Sequence, residues 1–134
     1  MKKEFNVQKE TKNIIDFIKN YYKENKLKGA IIGISGGKDS AVVAGLFTKA
    51  LGKENVIGVT LPCNSKEEDK KDAKLISDYY GFKLINFDIT NVFNSFKSEL
   101  NNLGIFTDEQ TKNSDINLKP RLRMASLYYL AALY

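Results

Sequence analysis

The sequence predicts an α/β fold in which helices cover both faces of a doubly wound parallel sheet. Three short, largely apolar runs, at 30–34, 56–61 and 82–87, predict strands. The first of them has no polar alternation, as expected for a strand that is buried on both sides. Segments with apolar residues at helical spacing lie before, between and after these runs. Strands that alternate with helices in this way build right-handed βαβ units and a parallel sheet.

The first half of the chain predicts a helix, a strand, a loop and a second helix. Residues 5–27 carry apolar side chains at helical spacing with lysines between them. The first strand, 30–34, leads into a glycine-containing loop at 35–39. A second helix is predicted at 40–51, and Gly52 stands in the C-cap position that glycine favours.

The middle of the chain predicts a second βα unit and a third strand. The strand at 56–61 is stopped by Pro62, which cannot donate a ladder hydrogen bond. A helix is predicted at 66–80, and Gly81 ends it. The third strand, 82–87, follows directly.

The last part of the chain predicts a helix, a loop and a final helix. Apolar residues between 92 and 103 recur at helical spacing. The stretch 104–116 is polar and irregular, which predicts a mobile loop. The final helix is expected to begin near Asn117, a good N-cap residue, so that Pro120 falls in the first turn, where proline is tolerated.

Length and composition bound the domain organisation and the location. A chain of 134 residues fits one domain, and its final helical pattern reaches Tyr134 without a stop signal. We therefore expect a single domain over residues 1–134 that is incomplete at its C-terminus. No apolar run approaches the length of a membrane span, and the N-terminus lacks the apolar stretch of a signal peptide, so we expect a cytoplasmic location without a membrane partner.

The residue types exclude several kinds of catalysis. The chain has no histidine, which rules out Ser-His triads, Cys-His pairs and histidine-bearing zinc sites within these residues. Its one cysteine, Cys63, is expected to be a small packing or surface residue and not a nucleophile. The formal net charge of +5 favours anionic partners in general and does not choose among them.

The segment Ser35-Gly36-Gly37-Lys38-Asp39-Ser40 lies between a predicted buried strand and a predicted helix. Open α/β sheets bind ligands at this place, beyond the carboxyl ends of the strands. Glycines let the backbone approach a ligand closely, and successive N–H groups at a helix start form an anion site. The two serine hydroxyls can also donate to phosphate oxygens. The segment therefore predicts a phosphate-binding loop rather than a simple glycine turn.

Asp39 indicates that a cation takes part in the predicted phosphate site. A carboxylate beside phosphate is repelled unless a cation bridges the two, and Mg²⁺ commonly binds one or two carboxylates together with phosphate oxygens. The segment is not a Walker A loop, because Asp39 stands where that motif requires Ser or Thr, and it is not the dinucleotide G-x-G-x-x-G pattern.

The loop resembles the pyrophosphate-binding loop of the ATP pyrophosphatases, which cleave ATP between the α- and β-phosphates. Two further segments resemble the NAD synthetases within that group. They are Thr60-Leu61-Pro62 and the basic segment Asn117-Leu118-Lys119-Pro120-Arg121-Leu122-Arg123-Met124, which is followed by Leu127-Tyr128. No glutaminase-like segment is present at the N-terminus, so the resemblance is to the ammonia-dependent branch. It implies a Rossmann-like fold of the adenine nucleotide alpha hydrolase type.

The resemblance also implies roles for individual residues. It implies ATP and Mg²⁺ as cofactors, with Asp39 as the metal ligand and no side-chain nucleophile. The implied ATP-binding residues are Gly33, Ile34, Ser35, Gly36, Gly37, Lys38, Asp39, Ser40, Thr60 and Leu61. Deamido-NAD would contact Arg123 first of all, together with Arg121, Asn117 and Lys119, and the helix 117–134 would contribute to a homodimer.

The basic helix also has a physical interpretation of its own. Lys119 and Arg123 are four residues apart and share a face, whereas Arg121 points elsewhere. Leu118, Leu122 and Ala125 are expected to pack. Two cations on one helical face suit a phosphate or a carboxylate, which arginine can bind through two nitrogens.

Two other functions remain open from the sequence. One is an ATP-dependent tRNA-modifying enzyme, since the same loop occurs in that class and a positive charge suits RNA. The single cysteine argues against thiolation, and we expect no nucleic-acid partner. The other is a non-catalytic module that binds a nucleotide without turning it over.

Overall fold

The computed structural model of the chain describes residues 5–64, 67–105 and 107–134. Helices and strands alternate through these ranges as the sequence predicts. In chain order the elements are α1 (Val7–Glu24), β1 (Ala30–Gly33), α2 (Lys38–Leu51), a short 3₁₀ turn (Lys53–Asn55), β2 (Val56–Thr60), α3 (Glu67–Tyr80), β3 (Lys83–Asn86), α4 (Thr90–Asn101) and α5 (Asp108–Leu133).

The three strands form one parallel sheet in the order β1-β2-β3. Gly33 is opposite Val59 in the first pair, and Thr60 is opposite Asn86 in the second. Because the strands are parallel and close to register at these residues, their carboxyl ends meet at one edge of the sheet. The predicted phosphate loop, Thr60 and Leu61 all lie at that edge.

Apolar side chains pack on both faces of the sheet, which confirms the predicted α/β class. On one face, residues from α1, α2 and α3 pack against strand residues such as Ile32 and Val56. On the other face, Val59, Leu61 and Ile89 pack with residues from α4 and α5. Cys63 belongs to this second cluster and is only 3% exposed, so it is a packing residue.

Most element boundaries fall within two residues of the predictions. The N-cap of α1 is Asn6, whose side chain accepts a hydrogen bond from the Lys9 N–H at 2.9 Å. Helix α2 begins at Lys38, earlier than predicted, because its first turn includes the end of the phosphate loop. Gly52 and Gly81 follow their helices as expected. Lys66, the predicted first residue of the third helix, lies outside the described residues.

The prediction of a mobile loop at 104–116 and a helix start at Asn117 is wrong. Helix α5 begins at Asp108, and Thr107 is its N-cap. Thr107 and Gln110 form a capping box, in which each side chain accepts a hydrogen bond from the backbone N–H of the other residue. The segment was mistaken for a loop because it is polar, but its polar side chains lie on a largely exposed part of a helix.

Pro120 consequently lies in the interior of α5 and not in its first turn. Proline has no N–H, so the carbonyl of Ile116 receives no hydrogen bond from it, and an interior proline costs a helix about 3 kcal/mol. The leucines of α5 that pack on the sheet, Leu118, Leu122, Leu127 and Leu130, offset this cost. Ala125, predicted to pack with them, is exposed.

Across the described ranges, no helix combines the length and apolarity required to cross a membrane.

Candidate functional site

The segment between β1 and α2 leaves the sheet at the carboxyl end of β1. Ile34 still pairs with the neighbouring strand, since its N–H donates to the Val59 carbonyl at 2.8 Å. Gly36 then adopts a φ of +84°, a conformation that strongly favours glycine. A Cβ at Gly36 would also lie 3.0 Å from the Asp69 carbonyl oxygen and 3.2 Å from the Asp72 Cβ. Helix α3 therefore packs directly against this bend.

Two serine hydroxyls brace the loop from within. The Ser40 hydroxyl donates to the Gly37 carbonyl at 2.9 Å. Since that proton is used, the Ser35 hydroxyl is the donor in the 3.2 Å contact between the two Oγ atoms. The Ser35 Oγ in turn accepts from the Gly37 N–H at 3.2 Å, and the Ser40 Oγ accepts from the Ser35 N–H at 3.3 Å. This network holds the shape of the bend. It uses both hydroxyl protons, which were predicted from the sequence to bind phosphate oxygens.

The start of α2 provides hydrogen-bond donors to the same bend. Its N-cap residue, Gly37, makes no side-chain cap, and the first N–H groups of any α-helix have no partner inside the helix. The amides of Lys38 and Asp39 are in this first turn, where the helix dipole is positive. The side chains of both residues are exposed. The bend can therefore receive an anion such as a phosphate.

Asp39 supplies one exposed carboxylate beside this anion site. In the part of the chain that the structure describes, no group of three or more acidic, cysteine or histidine side chains is arranged to bind a metal ion. A single carboxylate is too few protein ligands to bind a metal ion without further oxygen atoms from a ligand or water. It does fit Mg²⁺, which typically takes one or two carboxylates and completes its shell with phosphate oxygens and water.

The end of β2 forms the neighbouring wall of the site. Thr60 and Leu61 are both buried, and Leu61 directly follows the last strand residue. The Thr60 hydroxyl donates to Asn86 Oδ1 at 2.8 Å, which links β2 to the end of β3. Asn86 was not among the predicted site residues. Its signal in the sequence is a polar residue at the end of the third strand, at the same edge of the sheet.

Arg123 reaches the same edge from α5. Its Nε donates to the Leu61 carbonyl at 3.0 Å, so the structure brings together a residue predicted for ATP and one predicted for the second substrate. Packing of α5 on the sheet determines this position. Leu127, for example, lies so close to Gly33 that a Cβ there would be 3.1 Å from its Cδ1.

The other three predicted substrate residues lie farther along α5. Lys119 shares the half-buried face with Arg123, as predicted, and its Nζ lies 5.2 Å from the centroid of the Phe93 ring on α4. Asn117 and Arg121 are exposed and line a cavity of about 360 Å³ between α4 and α5. The structure therefore brings only Arg123 into direct contact with the end of β2.

The cavity between α4 and α5 is lined by apolar and charged residues. Phe96, Leu100 and Leu118 line it together with an ion pair between Lys97 and Asp115. The ion pair connects the two helices across the cavity.

Comparisons with known proteins give one consistent family. The family model described as NAD synthase matches residues 10–134. The NH(3)-dependent NAD(+) synthetase of Methanococcus aeolicus is 42% identical over 127 residues, which cover 94% of this chain and 49% of that protein. The enzyme of the same name from Carboxydothermus hydrogenoformans is 36% identical over 127 residues, which cover 95% of this chain and 51% of that protein.

Solved structures agree with the sequence comparisons. The NH3-dependent NAD synthetase from Campylobacter jejuni superposes with a TM-score of 0.83 at 31% identity, covering 96% of this chain and 53% of that chain. The NMN synthetase from Francisella tularensis gives a TM-score of 0.85 at 25% identity, covering 98% of this chain and 52% of that chain. The chain thus spans about half the length of the relatives it matches.

Proposed function

Because the chain belongs to the NAD synthase family, we propose that the intact protein is a carbon–nitrogen ligase that makes NAD from deamido-NAD, ATP and ammonia. The observation that carries this proposal is the bend at 35–40, which presents helix-start amides at the carboxyl edge of a parallel sheet. The names of the similar proteins support the amide-forming reaction. They do not favour a tRNA-modifying enzyme or a non-catalytic nucleotide-binding module.

The proposed reaction has two displacement steps. A carboxylate oxygen of deamido-NAD attacks the α-phosphorus of ATP, and pyrophosphate leaves, giving an adenylate. Ammonia then attacks the acyl carbon, AMP leaves with the bridging oxygen, and a proton is released as the amide forms. Neither step requires a protein nucleophile, which agrees with a chain that lacks histidine and buries its one cysteine. Binding that brings the reactants together and electrostatic stabilisation therefore supply the catalysis.

For ATP we propose the bend and the end of β2. Charge that develops on the leaving pyrophosphate meets the amides at the start of α2, which are already oriented. Thr60 and Leu61 lie beside the bend, where they would contact the adenosine. The proposed ATP residues are Gly33, Ile34, Ser35, Gly36, Gly37, Lys38, Asp39, Ser40, Thr60 and Leu61.

For Mg²⁺ we propose Asp39 as the protein ligand. The ion would neutralise phosphate charge and remove the repulsion between the phosphates and this carboxylate. The exposed position of Asp39 at the first turn of α2 supports this role, because the carboxylate makes no contribution to the core.

For deamido-NAD we propose Arg123 as the principal contact, with Arg121, Asn117 and Lys119 farther along α5. The position of Arg123 beside Leu61 supports its role, since the carboxylate of the substrate must meet the α-phosphate near this point. The cavity lined by Asn117 and Arg121 supports an extended contact with the substrate along α5.

We also propose a homodimer through the helix 117–134. Large apolar side chains along this segment are exposed, namely Met124, Tyr128, Tyr129 and Leu133. Several large apolar side chains exposed on one segment are typical of a protein–protein contact.

The decisive experiment is an assay of the intact protein with ATP, Mg²⁺ and ammonia. Deamido-NAD should yield NAD, AMP and pyrophosphate in equal amounts. Nicotinate mononucleotide should be assayed beside it, because one structurally similar protein is named an NMN synthetase. Preference for the mononucleotide would change the proposed substrate, and ATP consumption only in the presence of tRNA would refute the proposal.

A further inference from the structure

The carbonyl groups at the end of β2 accept hydrogen bonds alternately from its two sides. The Val59 carbonyl accepts from the Ile34 N–H on the β1 side at 2.8 Å. The Thr60 carbonyl accepts from the Phe87 N–H, and the Pro62 carbonyl from the Ile89 N–H, both on the β3 side and both at 2.9 Å. This alternation, which is normal in a parallel sheet, directs the Leu61 carbonyl to the β1 side.

No backbone donor of β1 reaches the Leu61 carbonyl, because the chain has already left the sheet. Ile34 makes the last bond on this side, and the next amide in register belongs to Gly36, which lies in the bend with a φ of +84°. Leu61 is only 7% exposed, and a buried carbonyl without a donor is costly. The Nε of Arg123 occupies this place and donates at 3.0 Å.

We propose that Arg123 is a positioning residue of the ATP site. Its Nε–H replaces the strand donor that is lost where β1 turns into the phosphate loop, and it thereby holds Leu61 beside that loop. This inference rests on the proposed function, in which Leu61 contacts the adenosine. It assigns to Arg123 a role in ATP binding that is separate from its contact with deamido-NAD.

The guanidinium group can serve both roles at once. Arginine carries five N–H donors, of which the bond to Leu61 uses the one on Nε. No described residue accepts a hydrogen bond from the terminal nitrogens, so these are left for an anionic substrate. One side chain therefore connects the shape of the ATP site to the binding of the second substrate.

Two substitutions separate the hydrogen bond from the charge. Arg123→Gln keeps an N–H donor at the position of Nε, since the glutamine amide nitrogen follows the same number of carbons, but it removes the charge. Arg123→Lys keeps the charge but puts a methylene group at that position. ATP affinity is measured by calorimetry on the intact protein with Mg²⁺ and without deamido-NAD. We expect a loss of about tenfold for Arg123→Lys, the effect of leaving one buried carbonyl without a donor, and a near wild-type value for Arg123→Gln.

The KM for deamido-NAD should show the opposite order, with the larger increase in Arg123→Gln. Hydrogen exchange gives an independent readout, because the amides of Phe87 and Ile89 should exchange faster in Arg123→Lys than in Arg123→Gln. The control is Lys112→Gln, which removes an exposed cation of α5 that lies outside the proposed site. It should leave ATP affinity unchanged.

Wild-type ATP affinity in Arg123→Lys would overturn the inference and leave the proposed function intact. An equal loss in both variants would also overturn it, since the charge and not the Nε donor would then be responsible. A wild-type protein that binds no ATP would overturn the inference and the proposed function together.

Discussion

At the residue scale, the candidate site combines local and distant contacts. The bend is local: Ser35, Gly37 and Ser40 bond to one another within six consecutive residues, which is why the sequence alone could predict it. The bond between Arg123 and the Leu61 carbonyl joins residues 62 positions apart. No periodicity or motif spacing specifies such a contact, because it depends on how α5 packs across the sheet.

If the intact protein forms NAD as proposed, Asp39→Asn should lower kcat/KM on the order of a hundredfold or more, because the proposed Mg²⁺ would supply several kcal/mol of charge stabilisation. The midpoint of thermal unfolding should change little, since the side chain is exposed and outside the apolar clusters. Kinetics over a range of Mg²⁺ concentrations and calorimetric melting measure the two effects. The control is Asp16→Asn, which removes an exposed carboxylate of α1. Equal loss of activity and stability would assign Asp39 a structural role.

At the element scale, the helices and strands with a local sequence signal were predicted well, and the start of α5, which depends on packing, was not. The three strands were predicted because each is a short, largely apolar run, and the ends of α2 and α3 because glycine follows them. The start of α5 was missed because its first turns are polar and Pro120 suggested a later start. Tertiary packing outweighed this local preference. The partly buried leucines of α5 pack against the sheet, and this packing stabilises the helix on both sides of Pro120.

Asp88, which precedes the N-cap residue Ile89 of α4, makes a hydrogen bond that favours the charged form of its carboxylate. The Asp88 carboxylate accepts from the Thr90 N–H at 2.8 Å, and hydrogen bonds from the Thr90 hydroxyl and then from its backbone lower the pKa of Asp88 below its usual value. Because the pKa is lower in the folded state, the charged carboxylate stabilises the protein at any pH above the unfolded pKa of about 3.9. This stabilisation is lost as the pH falls through the folded pKa. The Thr90 hydroxyl also accepts from the Asn64 N–H at 3.1 Å, so these hydrogen bonds connect the start of α4 to the loop after β2.

Asp88→Asn should therefore weaken the dependence of stability on pH below about pH 4. The free energy of unfolding of the wild type should fall toward that of the variant as the carboxylate is protonated. Urea denaturation between neutral pH and pH 3 measures this difference, and Asp16→Asn again serves as the control. A constant difference between wild type and Asp88→Asn over this range would contradict the prediction.

At the scale of the whole molecule, the two faces of the sheet have different roles. One face, covered by α1, α2 and α3, supports the bend, and the other, covered by α4 and α5, brings Arg123 to the same edge. The sequence predicted both layers and the family, and the comparisons confirm the family. The residues predicted for the second substrate are divided between the sheet edge and the α4–α5 cavity, and this division could not be predicted, because it depends on how α5 packs across the sheet.

Two exposed tyrosines on the surface of the molecule allow the proposed dimer to be tested. Tyr128 on α5 is 80% exposed and lies in the proposed dimer segment, whereas Tyr79 on α3 is 83% exposed and lies outside it. The two residues thus form a matched pair in size, exposure and helical setting. Burying Tyr128 in a dimer would remove apolar surface from water, at roughly 25 cal/mol per Å². A glutamate there would leave an unpaired charge in the interface, and unpaired charges are costly to bury.

Tyr128→Glu should therefore shift the intact protein from dimer to monomer, and Tyr79→Glu should leave it dimeric. Sedimentation equilibrium over a range of protein concentrations gives the dissociation constant of each variant. Because both substitutions are made at exposed positions, neither should lower the thermal midpoint of the monomer by more than about 2 °C, the effect of a surface substitution of about half a kcal/mol in a domain of this size. A wild-type protein that is monomeric at all concentrations, or equal dissociation by both variants, would exclude the segment 117–134 as the dimer contact.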